Sequence, residues 1–119
     1  MKRNMDLIRF LLLRSEGDES AKAECEKFTV EERAYHVQLL IDASFVEGFV
    51  RRDPRGGFTG AIISRITWNG YEFLQSVQND KLWNKAKTHV LKAGASWTFD
   101  ILKEWLKLEL KKKIGLPAE

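Results

Sequence analysis

Four arginines surround a glycine-rich turn, and their chemistry is the easiest in this chain to interpret. They are Arg51, Arg52, Arg55 and Arg65. The turn, DPRGG, separates two segments of strand composition, Phe49–Arg52 and Thr59–Ile66, and so predicts a β-hairpin. A guanidinium group stays charged and donates hydrogen bonds in a plane that matches phosphate oxygens. We therefore expect these arginines to contact the phosphate backbone or narrow minor groove of DNA. The alternative is structural, because arginines on exposed strands also maintain solubility and discourage edge pairing.

Groups for catalysis or metal binding form no recognisable pattern in this sequence. The chain has no GxxxxGKS/T, GxSxG or HExxH motif and no paired cysteines. Its two histidines, His36 and His89, fall on different predicted helices. Cys25 is the single cysteine, which excludes an internal disulfide and favours a buried, unreactive thiol in a reducing cytoplasm. We therefore expect a cytoplasmic binding protein with no enzymatic activity, no cofactor and no metal.

A helix immediately before the hairpin must position it. Thr29 and Glu32 have the spacing of a capping box, which predicts that the helix begins there. One stripe at helical spacing should face the core, namely Val30, Ala34, Val37, Leu40 and Ile41. The opposite side carries acids, which would oppose contact with phosphates, together with Tyr35 and Leu39. We expect Tyr35 and Leu39 either to pack beneath another element or to contact a partner protein.

Two segments precede this helix. Residues 4–14 predict a helix capped by Asn4, and because it is apolar on nearly every side it should be buried. The apolar run is short and Arg9 interrupts it, so we expect neither a signal peptide nor a membrane span. Residues 15–27 are acidic and predict a surface connection with a short helical turn near Ala21–Cys25.

Three helices are predicted after the hairpin strands. Thr67 should cap the first and Asp80 the second, which should end at Gly94, while Ser96 should cap the last. The last helix has an apolar stripe that a second set of apolar residues widens well past half a turn. This second set is Trp97, Ile101, Trp105 and Leu108. We expect it to form a homodimer contact, the alternatives being packing within the domain and, least favoured, binding to a membrane surface.

Charge is distributed in blocks along this 119-residue chain, whose net charge is +3. Residues 16–32 carry seven acids against two lysines, whereas residues 81–113 carry nine lysines against three acids. Such blocks create faces of opposite sign that can steer a partner, although an ordinary solvated surface explains them as well.

The order of helix, hairpin and helix from Thr29 to Leu74 resembles the back half of a winged helix, in which the hairpin is the wing. We therefore expect one winged-helix-like domain over residues 1–119, with a core at roughly 1–79 and a C-terminal helical extension at roughly 80–113. The expected fold class is α+β, mainly helical with a small β-hairpin.

Four stretches of the sequence resemble a bacterial and phage family known as domain of unknown function 2513. The opening MKRNMDLIRFLLL resembles the start of family members, which typically begin Met-Lys-Arg-Asp-Met-Asp-Leu-Ile-Arg. The other stretches, in order, are ERAYHVQLLIDASFVEG, ITWNGYEFLQSVQNDKLWNKAK and the closing helix ending IGL. The resemblance covers nearly the whole chain and implies a winged-helix-like fold with no established activity. The chain departs from the family at Tyr71, where family members commonly have histidine. It departs again at residues 75–78, which are Gln-Ser-Val-Gln where family members have an Asp-rich stretch. His36 matches a common family histidine.

Three hypotheses of function follow from these patterns. The preferred one is a DNA-binding or regulatory module of bacterial or phage origin that uses the arginines of the hairpin. The alternative is a protein-interaction or homo-oligomerisation module that binds no nucleic acid. An enzyme with unrecognised chemistry is the third and least favoured.

Overall fold

Helices dominate the computed structural model of this protein, which describes residues 1–88 and 99–113. In chain order the elements are α1 (Met5–Ser15), α2 (Glu19–Cys25), α3 (Val30–Asp42), β1 (Val46–Arg52), β2 (Phe58–Ile66), α4 (Trp68–Val77), α5 (Asp80–Ala86) and α6 (Phe99–Lys113). The prediction of a mainly helical α+β fold with one hairpin is confirmed.

The chain divides into two compact units, Met1–Leu74 and Gln75–Glu119. The first contains the three N-terminal helices, the hairpin and most of α4, and the second contains α5 and α6. The boundary between the units therefore falls inside α4, and the expected single domain with its core at roughly 1–79 stays a prediction. None of the described helices combines the length and apolar character that crossing a bilayer requires.

The first helix begins as the sequence predicts. The side chain of Asn4 accepts hydrogen bonds from the backbone N–H groups of Asp6, at 2.9 Å, and Leu7, at 3.2 Å. Four of its apolar side chains have no exposed surface: Leu7, Ile8, Leu11 and Leu12. The acidic segment that follows forms a seven-residue helix, α2, rather than a single turn. Asp18 caps α2. Helix α2 packs against α1 and buries Ala21 and Cys25, so its acidic side chains lie on the opposite, exposed side.

Helix α3 has the predicted capping box. The hydroxyl of Thr29 accepts the N–H of Glu32, and the carboxylate of Glu32 accepts the N–H of Thr29, each at 3.1 Å. Ala34, Val37 and Leu40 are buried as expected. Val30 is not, with 48% of its surface exposed, because the first residue of the helix extends past the end of the core.

The hairpin strands are antiparallel, and β1 begins three residues before the predicted start at Phe49. Glu47 pairs with Arg65 and Gly48 with Ile63, so one residue of β2 is left unpaired between them, and a second irregularity follows near the turn. Both extra residues, Ser64 and Thr59, lie in β2, so β1 contains no inserted residue. Glycine is required at position 48 because a Cβ there would overlap the backbone carbonyl of Ile62.

Helix α4 begins at a cap that also joins it to the loop after α3. The hydroxyl of Thr67 accepts the N–H of Gly70 at 3.1 Å, as predicted, and donates to the carbonyl of Ser44 at 2.6 Å. The expected cap of α5 at Asp80 is wrong. Asn79 is the cap, with its side-chain oxygen 3.0 Å from the N–H of Leu82, and Asp80 is the first helical residue, where its charge favours the positive end of the helix. The predictions for Gly94 and Ser96 lie outside the described residues.

Candidate functional site

The four arginines all lie exposed on the hairpin, but the structure divides them into two groups. Arg51, Arg52 and Arg55 cluster at the end of the hairpin that carries the turn. Arg65 lies at the opposite end of β2, where its guanidinium forms an ion pair with Glu47 on the neighbouring strand. An exposed pair of this kind contributes little to stability, yet it offsets the charge that Arg65 presents to a ligand. We call residues 51–57 the hairpin tip.

Asp53 shapes the turn at the hairpin tip. Its carboxylate oxygen Oδ1 accepts hydrogen bonds from the backbone N–H groups of Arg55, at 2.9 Å, and Gly57, at 2.8 Å. Gly56 has a φ of +88°, a conformation that side chains rarely adopt. The one acid of the tip thus holds the backbone of the turn, and three guanidinium groups extend around it.

A row of rings connects the hairpin tip to the helices. The guanidinium of Arg52 lies over the ring of Phe58, 4.2 Å from its centroid. Phe58 contacts the edge of Tyr35 with ring centroids 5.7 Å apart, and Tyr35 contacts His36 at 5.3 Å. Tyr35, an expected packing or partner residue, is half-buried and engaged within the molecule. Sequence reasoning missed Phe58, although its place next to the turn was a usable signal.

His36 holds the helical part of the first unit together. It is 1% exposed, its Nδ1 lies 2.7 Å from the carbonyl of Glu32, and its Nε2 lies 2.8 Å from the backbone N–H of Asn4. Nδ1 must therefore carry the proton, and Nε2 accepts the Asn4 N–H. Burial lowers the pKa of His36, while its bond to the Glu32 carbonyl acts in the opposite direction. Both ring nitrogens are used, so His36 has a structural role rather than that of a ligand.

Acidic side chains lie on the outer side of α3. Arg33, the single arginine or lysine of this helix, directs its guanidinium to the carbonyls of Phe28, at 2.8 Å, and Cys25, at 3.2 Å. Leu39 is half-buried, and Asp42 is exposed with Gln38 bonded to it. Acidic groups repel phosphate. That α3 does not read bases stays a prediction from the sequence.

The residues expected to form a dimer contact on the last helix are only partly described. Trp105 is half-buried and Leu108 is 39% exposed, while Leu102 and Leu106 of the main stripe are buried. Trp97 and the side chain of Ile101 lie outside the described residues. The helix is tied to α5 by Lys85, whose Nζ is 2.7 Å from the carboxylate of Glu109, an interaction that lowers the pKa of that carboxyl.

An exposed apolar pair lies on one side of the hairpin. Phe49 on β1 and Ile62 on β2 are cross-strand partners, 56% and 50% exposed. We call this side the outward face of the hairpin; its residues are Glu47, Phe49, Arg51, Gly60, Ile62 and Arg65. An open groove nearby is lined by residues 46–49 of β1 together with Ile41, Ser44, Ser64 and Thr67. Sequence reasoning missed the pair because the sequence does not fix the register of the two strands.

In the described part of the chain, no three His, Cys, Asp or Glu side chains lie close enough together to bind one metal ion. Cys25 is buried, and burial raises the pKa of its thiol, which makes it a poor nucleophile.

One family and one relative that match this chain are both described without an activity. Residues 2–96 match the family described as "Hypothetical protein (DUF2513)". An uncharacterized protein of Haemophilus influenzae (strain ATCC 51907 / DSM 11121 / KW20 / Rd) is 33% identical over 110 residues, which cover 87% of this chain and 91% of that protein. No solved structure matches the chain. The match over most of its length shows that the chain belongs to the family of hypothetical proteins known as DUF2513.

Proposed function

We propose that this protein binds DNA through its hairpin tip, with Arg51, Arg52 and Arg55 on phosphate groups. The observation that carries the proposal is the cluster of three exposed guanidinium groups around a turn whose one carboxylate is bonded to backbone N–H groups. Phosphate contacts of this kind position a protein on nucleic acid without reading its sequence. The role is one of binding or regulation, not catalysis, in a cytoplasmic protein of bacterial or phage origin.

Preorganisation of the arginines supports this proposal. Arg52 is held over Phe58, and Phe58 is held in turn by Tyr35 of α3, so this guanidinium loses less conformational freedom when it binds. Arg55 projects from a turn that Asp53 fixes by two hydrogen bonds. Arg65 is the weakest candidate, because Glu47 already neutralises it.

The test is binding to a short mixed-sequence duplex across a salt series. Each phosphate contact contributes about −0.9 to the slope of log K against log salt, so three contacts should give a slope of about −3. Changing Arg51, Arg52 and Arg55 together to alanine should abolish most of this slope, and Arg65→Ala is the matched control that should leave it nearly unchanged. The proposal fails if the wild-type protein does not bind at the lowest salt, or if the triple variant binds equally well.

Self-association is a second candidate function, and one observation favours it. Phe49 and Ile62 expose apolar surface side by side on a strand pair, and contiguous exposed apolar surface is a feature of protein–protein contacts. Self-association through Trp105 and Leu108 of the last helix is the alternative interface for the same function.

A further inference from the structure

The outward face of β1 carries a charge pattern that can complement itself. Glu47, Phe49 and Arg51 alternate along the strand and are all exposed, whereas Val46, Gly48 and Val50 between them face inward. An acid and a base thus flank an aromatic residue symmetrically, each two positions away. Reversing the direction of the strand about Phe49 exchanges the positions of the acid and the base.

The strand that carries this pattern has an open edge. Within residues 1–88 and 99–113, β1 pairs with β2 alone, in a sheet of two strands. The inserted residues of both irregularities lie in β2, so β1 carries none of the extra residues that often protect an edge strand. An open groove, lined in part by residues 46–49, lies beside this half of the strand.

We propose that β1 pairs with β1 of a second copy of this chain, antiparallel and with Phe49 on the twofold axis. The two hairpins then form a four-stranded sheet in which the two β1 strands are central. In this register Glu47 lies directly opposite Arg51 of the partner subunit, and Arg51 lies opposite Glu47 of the partner subunit. Phe49 lies opposite its own equivalent.

Charge complementarity selects this occupant and this register. Residues directly opposite each other in an antiparallel pair have Cβ atoms about 4.5–5.5 Å apart, close enough for the two acid–base pairs to form. Glu47 already binds Arg65 on the other side, so its carboxylate would lie between two guanidinium groups. A parallel, in-register pairing would instead place Glu47 on Glu47 and Arg51 on Arg51. Shifting the antiparallel register by two positions would place Arg51 against Phe49.

The apolar pair gains a partner in the same arrangement. Ile62 and Phe49 of one copy continue into Phe49 and Ile62 of the other, giving one apolar row across all four strands. Aromatic and β-branched pairs of this kind are among the favourable cross-strand contacts of sheets. The exposure of Phe49 and Ile62 in a single chain is thereby explained.

Charge reversal tests the register in solution. Glu47→Arg alone and Arg51→Glu alone should each shift the molar mass from that of two chains toward that of one, since each creates two like-charge pairs. Mixing these two variants should restore a dimer, because both pairs become opposite again, and the double variant Glu47→Arg/Arg51→Glu should dimerise by itself. Arg55→Glu changes charge outside the register and should keep the wild-type mass. Circular dichroism of each variant checks that it is folded.

Disulfide trapping tests the position of the axis independently. Phe49→Cys should give a covalent dimer under mild oxidation, because the two cysteines would face each other across the axis. Ile62→Cys is the matched control on the same face. Its two copies would be separated by three strand spacings, about 14 Å, too far for a disulfide. Cys25 is buried and common to both variants.

Three results would overturn the proposal. These are a monomeric wild-type protein at every concentration, a dimer that survives both single charge reversals, or equal cross-linking at positions 49 and 62. A dimer lost on changing Leu108 but not on reversing Glu47 would assign the interface to the last helix instead. Because Glu47→Arg retains every arginine of the hairpin tip, failure of the dimer and failure of DNA binding remain distinguishable.

Discussion

The backbone N–H of Asn4 donates a hydrogen bond to Nε2 of His36, 2.8 Å away and 32 positions along the chain. The same imidazole is bonded through Nδ1 to the carbonyl of Glu32, one turn earlier in its own helix. The start of α1 is thus fixed to the middle of α3 by a neutral histidine ring. A protonated ring has two donors and no acceptor, so it would lose the bond to Asn4.

Stability should therefore decrease as His36 becomes protonated. Burial sets the folded-state pKa of His36 below its ordinary value of 6.5, so the unfolded chain binds a proton more readily. Above pH 6.5 the ring is neutral in both states and stability is unaffected; below it, stability should fall until the folded-state pKa is reached. Urea unfolding midpoints at pH 7.5 and pH 5.5 measure the effect. His36→Gln should show a smaller difference between the two pH values, and an unchanged difference would contradict this assignment.

Glycine at position 48 should be essential to the hairpin, unlike glycine at position 60. A Cβ at Gly48 would overlap the carbonyl of Ile62, whereas a Cβ at Gly60 meets nothing within 4 Å. We expect Gly48→Ala to cost about 1–3 kcal/mol of unfolding free energy, and Gly60→Ala to change it by less than about 0.5 kcal/mol. Denaturant unfolding of the two variants provides the comparison. Equal stabilities would show that the backbone of β2 moves aside at the bulge.

The capping box of α3 should contribute measurably to stability. Thr29→Ala removes the acceptor for the Glu32 N–H, and we expect a loss of about 1 kcal/mol. Ser20→Ala, on the exposed side of α2, is a control with a similar change of side chain. A cap that made no contribution would leave the two unfolding midpoints equal.

The contact between Arg52 and Phe58 should assist DNA binding if the proposed role of the hairpin tip holds. Phe58→Leu removes the aromatic surface beneath the guanidinium, 4.2 Å from the ring centroid, and retains an apolar side chain. A contact worth about 0.5–1 kcal/mol corresponds to about a two- to fivefold loss of affinity. The double variant with Arg52→Ala checks the cause. If Phe58→Leu weakens binding equally when Arg52 is absent, the ring acts through the fold and not through this arginine.

Features that depend on neighbouring residues were predictable from the sequence, and those that depend on distant partners were not. Caps at Asn4, Thr29 and Thr67 were correct because a side chain and the next turn of backbone determine them. Asn79 and Asp80 are both good capping residues, so local chemistry could not choose between them.

The start of β1 was missed because Glu47 and Gly48 disfavour strands, and pairing with β2 overrides that preference. The outward face could not be assigned without this register. Likewise, His36 accepts a hydrogen bond from the backbone of Asn4, a partner that no periodicity along α3 reveals. The arginines of the hairpin tip are evident from composition, whereas the support of Arg52 by Phe58 and Tyr35 arises only in the folded chain.

The placement of the tryptophans has a spectroscopic consequence. Trp68 is 79% exposed and is the single tryptophan of the first unit, whereas Trp83, which is 2% exposed, lies in the second together with Trp97 and Trp105. An indole already in water changes its emission wavelength little on unfolding, while a buried indole shifts to the red. Intrinsic fluorescence should therefore follow mainly the unfolding of Gln75–Glu119, and circular dichroism should follow both units. Transitions that disagree between the two signals would mean that the units melt separately.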